Sequence, residues 1–483
     1  MKRLLVFILV LMGTWHGYAQ QKQLLYDLRS VPQALLLNPG MQQDFQWYAG
    51  IPMLSGISVY GGSSGIAVND LFAADGLDFT TKIRDNAVYG LNKRDEFSST
   101  YQLEIFNLGW RGRNRPQNFY SLGLYHEGGF IFYWPQDLAI LAFEGNAYQL
   151  GRRFNFEHLK TRGDFLNVFH IGLNRTINEQ LSIGVRGKLY SGILSYSTIG
   201  NSGYFLTDEG QNNLRANTIV ADMALRTSGW DRIQEVLNDD SIDDMAGIRQ
   251  HLVKRAFLGG DLGVGLDLGF SYNLDPQTTI TGSILDIGLM YHAGDPYTYT
   301  LKGSATVEGL EVILPDALID PDADFWQNLV DDIEGFVPFD DNRNAYLSFR
   351  PTQLYASLRY DYGQPQDGMG SCDCDYRNPG KKAAVYYRNA IGGQLYMINR
   401  PRGPQAALTA FYQRRFGNTM TLKATYTASK FSYTNMGLGF SAQAGPVNFY
   451  LMADNLLALQ DVSGAQYASL QLGLNIISWG RNN

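Results

Sequence analysis

Leu262-Gly263-Val264-Gly265-Leu266-Asp267-Leu268-Gly269-Phe270 alternates without a break: every second residue is apolar, and each residue between is Gly or Asp. A strand points successive side chains to opposite faces, so this segment has one apolar face and one that admits a carboxylate. The pattern recurs along the chain. Leu181, Ile183 and Val185 alternate with Ser182, Gly184 and Arg186, and Leu285, Ile287, Leu289 and Tyr291 with Asp286 and Gly288. Leu354, Ala356, Leu358 and Tyr360 interleave with Tyr355, Ser357 and Arg359, as do Leu470, Leu472, Leu474 and Ile476 with Gln471, Gly473 and Asn475.

Alternation alone does not separate a soluble sandwich from a membrane barrel, because each has one polar face. Two features favour the barrel. The segments reach the roughly 9–11 residues that a tilted strand needs to cross hydrocarbon. Turn sizes also alternate: Asn174 to Asn178, Asn273 to Gln277, Phe416 to Thr419 and Ala444 to Pro446 are tight, whereas 60–99, 198–257 and 309–342 are long. Short periplasmic turns with long outer loops are the rule for outer-membrane barrels. The expected fold is all-β, a transmembrane antiparallel barrel of about 16 strands with 14 as the alternative count, carrying helical outer-loop insertions. Residues 230–256 have helical spacing and are expected in an outer loop. Pro135 to Asn146 is expected as helical turns on the periplasmic rim, and the 361–381 connection is periplasmic by parity although long.

Composition agrees with that class. The chain has 483 residues, 18% of them charged, against about 25% in ordinary soluble domains. Aromatic residues make up 13%, too many for a disordered chain. A net charge of -7 shows none of the basic excess of a nucleic-acid binder, and 2 Cys exclude a disulfide scaffold. Met1 to Gln21 reads as an export signal: Lys2 and Arg3, an apolar run from Leu4 to Met12, then Gly17-Tyr18-Ala19 with cleavage before Gln20. That run is too short to span a bilayer as a helix, and no later stretch of 18 apolar residues exists. The expected organisation is a signal peptide at 1–19, a periplasmic N-terminal segment at 20–44 and an outer-membrane barrel at 45–483, in contact with outer-membrane lipid and lipopolysaccharide.

Thr434 to Leu459, Ser283-Ile284-Leu285-Asp286-Ile287-Gly288 and the segment at Pro135 resemble an uncharacterised Bacteroidota family of outer-membrane barrels. Leu35-Leu36-Leu37-Asn38-Pro39-Gly40 is similar to the Asn-Pro box of a wider group. That group includes FadL-like fatty-acid channels and the PorV and PorP/SprF barrels of type IX secretion. The box usually continues with Ala, where this chain has Gly40. The resemblance implies a barrel in the outer membrane and brings no catalytic residue. On function it implies a non-enzymatic component: an accessory barrel of a surface-assembly or type IX-like secretion system, with protein partners, or a channel for small apolar solutes.

Other constellations are weaker. Gly61-Gly62-Ser63-Ser64-Gly65 matches a nucleophile-elbow pattern but is followed by Ile66-Ala67-Val68, not by the helix that chemistry needs. His126, His158, His170, His251 and His292 show no zinc spacing, and His126 and His292 are expected as rim hydrogen-bonding residues. A hydrolase dyad from distant strands, lipase or protease, is the alternative function, and a secreted soluble β protein the third. Asp320, Asp322 and Asp324 form a weak calcium candidate, with Phe325 where the loop needs Gly. Cys372 and Cys374 are a possible strained disulfide. No cofactor is expected. Arg186, Lys188, Asp267, Asp286, Arg359 and Lys423 fall on the polar face and are expected in the lumen, filling it with mixed-sign pairs.

Overall fold

The computed structural model describes residues 22–210, 215–233, 244–308, 339–367, 385–429, 435–455 and 464–479. The export signal, Cys372, Cys374, Asp320, Asp322 and Asp324 lie outside the described residues. The fold is all-β, a closed antiparallel barrel.

Its first wall strand is broken in two, β1 (Trp47–Gly50) and β2 (Ile57–Ser63), both paired to the third strand and to the last. The wall continues through β3 (Glu96–Arg111), β4 (Asn118–Tyr133), β6 (Thr161–Thr176) and β7 (Leu181–Glu209), with short β5 (Arg153–Asn155) lying against the far end of β7. β7 then pairs with β9 (Asp261–Asn273), which pairs with β10 (Thr278–His292). The next wall strand is again interrupted, as β13 (Tyr346–Phe349) and β14 (Gln353–Asp367). β15 (Val385–Arg400), β16 (Gly403–Phe416), β17 (Met420–Ala428), β18 (Asn435–Ala444), β19 (Val447–Asp454) and β20 (Tyr467–Ser478) complete the circuit. The seam closes where Trp47 faces Ser478 and Tyr48 faces Ile477.

The wall therefore has 14 strands, the lower of the two expected counts. Two further long strands, β8 (Arg215–Ser228) and β11 (Pro296–Glu308), do not join it. They pair with the overhanging half of β7, Ser195 to Glu209, and with β12 (Phe339–Asn342), forming a ladder beyond the cylinder.

The apolar face of the alternation points out. Leu262, Val264, Leu266, Leu268 and Phe270 are between 39% and 56% exposed, while Asp267 between them is fully buried. A water-soluble barrel has the opposite arrangement, so the outer surface is built for hydrocarbon. Trp47 and Trp110 are exposed near the short-turn end, and Tyr291 and Tyr426 toward the other, where amphipathic rings suit a membrane interface.

The helix Gln136–Glu144 ends at Gly145, whose φ of 73° suits a residue without Cβ. It lies at the long-loop end and not on the rim of short turns. Parity requires this: β4 leaves the turn after Arg111 and ends at Tyr133, opposite Glu96. There Ile140 and Leu141 pack with Val88, Phe154, Phe156 and Phe205. The helical spacing at 230–256 appears as the helix Asp244–Lys254 in the described part. Among the described residues no helix is long and apolar enough to cross a membrane.

Placing a guanidinium on the outward face should cost about 2–4 kcal/mol at mid-depth. Val264→Arg is therefore expected to lower the denaturant midpoint for refolding into lipid vesicles, whereas Ser357→Ala, on the inward face and with no hydrogen-bond partner for its hydroxyl among the described residues, is expected to leave it within experimental scatter.

Candidate functional site: an occluded lumen

The N-terminal segment, expected as periplasmic, runs inside the cylinder over its described part. Leu24, Leu25, Tyr26, Leu28, Val31, Ala34, Leu35, Leu37, Met41 and Phe45 are buried in one cluster with inward wall residues such as Phe119, Leu285, Tyr355, Tyr396, Tyr450 and Met452. Tyr26 stacks on Tyr355 at 4.9 Å between ring centroids. The segment is a plug, and it contributes the hydrophobic core that a hollow wall lacks.

This plug contains one 3-10 turn, Pro32–Leu36, and no strand, so its backbone carbonyls need donors from elsewhere. The wall supplies them. Arg186 donates to Leu35 O at 2.8 Å and to Leu36 O at 2.5 Å, while its Nε and Nη2 hold Asp267 at 2.8 and 2.5 Å. Lys188 lies between Asp267, at 3.0 Å, and Asp286, at 2.6 Å. Asp286 accepts further bonds from Tyr190 and Gln353, each at 3.0 Å. It sits at a bulge with φ 57°, its own N–H donating to Asp267 at 2.7 Å. Arg359 donates to Asp27 O at 3.1 Å and to Gln413 at 3.0 Å and pairs with Asp361. Lys423, fully buried over the Phe411 ring, donates to Gln23 O at 3.1 Å and Tyr26 O at 2.5 Å. All six charged residues read from the alternation thus sit inside the barrel, and three of them touch the plug backbone directly.

The Asn-Pro box is the tightest contact. Asn38 donates to Phe270 O at 3.1 Å and its own Oδ1 accepts from Gly40 N at 2.9 Å. Asn174 donates to Pro39 O and Met41 O at 2.8 and 3.0 Å, and Ser283 to Leu37 O at 2.6 Å. The box lies directly on inward glycines of the wall: a Cβ at Gly184 would collide with Pro39, one at Gly269 with Asn38, and one at Gly40 with the Gly269 backbone. This is the physical reason that Gly40 stands where Ala is usual.

Sequence reading missed several plug contacts. Gln33 and Asn475 exchange amide hydrogen bonds at 2.8 and 2.9 Å, and Glu104 accepts from Gln33, Ser55 and Asn107. Glu104 and Asn475 each occupy a polar slot of an alternating strand, a signal equal to that of the six residues named.

Above the plug, a polar cavity of about 110 Å³ remains, lined by Lys22, Gln102, Glu127, Arg162, Asp164 and Arg350 among others. Arg350 bridges Glu127 at 2.5 Å and Asp164 at 3.6 Å. A larger concavity of about 620 Å³ lies on the wall's outer face behind the box, lined by Ile183, Leu268, Phe270 and Ile284 with Gly282 between them.

Ser63 is buried at the end of β2, and its hydroxyl has no hydrogen-bond partner among the described residues, so the elbow pattern has no base beside it. His126 is not at the rim. It sits in mid-β4 between Tyr101 Oη, at 2.6 Å, and Asn167 Oδ1, at 2.8 Å. His251 rests on Gly229 O at 3.0 Å, and burial holds its imidazole below its ordinary value. Among the described residues no group of three His, Cys, Asp or Glu could hold a metal ion.

The profile of a family of unknown function, DUF5723, matches residues 39–454, which spans the box and nearly the whole wall. The chain belongs to that family. No curated protein is similar to it in sequence. Among solved structures it is similar to a deletion mutant of the TodX monoaromatic hydrocarbon channel, at 10% identity, 97% coverage of each chain and a TM-score of 0.39. It is also similar to the toluene transporter TodX of P. putida, at 12% identity, covering 96% of this chain and 94% of that one with a TM-score of 0.35. A FadL homologue of Pseudomonas aeruginosa matches at 9% identity over 96% and 99%, with a TM-score of 0.37. Likenesses this distant carry no argument about function, which rests on the plug.

Two substitutions test the docking. Gly40→Ala overpacks the box and should cost about 1–3 kcal/mol. Arg186→Ala strands Asp267 and two plug carbonyls, at about 3–5 kcal/mol. Both are expected to make the plug protease-sensitive in the folded barrel, Arg186→Ala the more so, by mass spectrometry of limited digests.

Proposed function

We propose that this protein is an outer-membrane channel for small apolar solutes, gated by its N-terminal plug. One observation carries the reading: among the charged residues that hold its backbone, the plug covers a contiguous apolar band of the inner wall. Withdrawing Leu24, Leu28, Val31 and Leu35 would uncover Tyr355, Tyr396, Ile398, Met452 and Ile477 on the inside of the wall. A lumen lined in that way favours an apolar solute over a sugar or an ion, because transfer of apolar surface from water is favourable. Export by a cleaved signal and residence in lipid and lipopolysaccharide belong to the same reading, supported by the outward apolar belt.

The accessory-barrel reading has one observation in its favour. The ladder of β7, β8, β11 and β12 stands clear of the wall and offers an edge to a protein partner, as kinship with PorV and PorP/SprF barrels would require. Co-purification of a stoichiometric protein from native membranes, lost when the ladder is deleted, would favour it.

The channel reading is tested in proteoliposomes. Deletion of residues 22–44 is expected to raise uptake of a small aromatic hydrocarbon at least tenfold while the barrel remains heat-modifiable on electrophoresis. Unchanged uptake by a folded, plug-deleted barrel overturns the reading.

A further inference from the structure

Three side chains from three separate strands meet on the inward face at the outer end of the lumen. Ser348, in β13, lies with its Oγ 2.7 Å from His292 Nε2. His292, the last residue of β10, has its Nδ1 2.8 Å from Asp261 Oδ2, at the start of β9. A carboxylate only accepts, so Asp261 makes Nδ1 the protonated nitrogen and leaves the Nε2 lone pair to receive the Ser348 hydroxyl. The carboxylate is itself fixed: Asp261 accepts from Ser228 Oγ at 2.9 Å and Gly294 N at 3.2 Å, and Arg255 lies 3.3 Å away. Arg255 balances its charge. Ser195 Oγ is a second, longer neighbour of Nδ1, at 3.3 Å. The ring of Tyr346 stacks on His292 at 4.4 Å between centroids with 19° between planes, and holds the imidazole in its orientation.

The nucleophile end of this chain of bonds differs from its base end. Asp261 and His292 are buried, whereas Ser348 is half-buried. Two arginines, each paired with carboxylates of the wall, lie near it. Arg162 donates to Phe349 O, the next carbonyl along, at 2.9 Å, and Arg350 stands two residues on, on the same face. Arg350 Nε is buried and has no hydrogen-bond partner among the described residues. Arg162 and Arg350 also line the polar cavity of about 110 Å³ above the plug.

From this arrangement we propose that Ser348, His292 and Asp261 form a serine acyl-transfer site at the channel mouth that hydrolyses short-chain carboxylic esters. Ser348 Oγ attacks the ester carbonyl as its proton passes to His292 Nε2, and a tetrahedral oxyanion forms. His292 then returns the proton to the departing alkoxide as the ester C–O bond breaks, releasing an alcohol and leaving an acyl-Ser348 ester. Water, deprotonated by His292, attacks that ester, the carboxylic acid leaves, and Ser348 regains its proton. Ser348 and His292 are catalytic residues; Asp261 is a positioning residue acting through the imidazole. The site is independent of the permeation reading and stands or falls separately from it.

The test uses the full-length barrel in detergent, a fluorophosphonate probe and p-nitrophenyl butyrate. Labelling should map to Ser348 by peptide mass spectrometry, vanish in Ser348→Ala and persist in Ser63→Ala. His292→Gln should lower butyrate turnover by about a hundredfold or more. Asp261→Asn should lower kcat with KM unmoved, a split that a loosened fold does not produce. Heat-modifiable migration certifies that each variant is folded. A folded wild-type barrel that takes no label, or a Ser348→Ala variant that labels and turns over as wild type does, overturns the proposal.

Discussion

Arg186 bound at once to Asp267 and to two plug carbonyls is the contact on which the interior depends. A barrel that turns its apolar side chains outward has no hydrophobic core of its own, and its inward charges cannot stay unpaired where little water reaches them. The plug resolves both conditions. Its leucines restore apolar packing, and its irregular backbone offers carbonyl oxygens where the wall offers cations. Arg359 and Lys423 repeat the arrangement farther round the wall, on β14 and β17. Wall charges and plug backbone thus satisfy each other.

The wall was readable because period 2 is a local property, and the strand limits at 467–478, 278–292 and 435–444 follow the alternation closely. The number of wall strands was not, because β8 and β11 are as long and as regular as their neighbours. Whether a strand closes the cylinder or stacks on its overhang is decided by its partner, which no single segment encodes. The helix at Gln136 lies at the long-loop end because β4 pairs directly with β6, so their connection falls on the side away from the short turns, a pairing no local pattern encodes.

The plug was illegible for a different reason. Leu24, Leu25, Leu28, Leu35 and Leu37 follow neither strand nor helix period, because their contacts come from wall strands on all sides. The Asn-Pro box was visible as a motif, but its purpose is visible only beside Gly184 and Gly269, some 145 and 230 residues further along. Likewise Asp261, His292 and Ser348 each occupy an ordinary inward slot; their meeting depends on the register of β9 on β10 and of β10 on β13.

The tether between plug and wall bears on how the molecule assembles. Phe45 ends the buried cluster of the plug, and two residues later Trp47 enters the strand that meets β20, about 430 residues further along. Plug and seam are consequently coupled through contacts between residues far apart in the sequence. Such long-range contacts make folding slow and expose unpaired edges for longer.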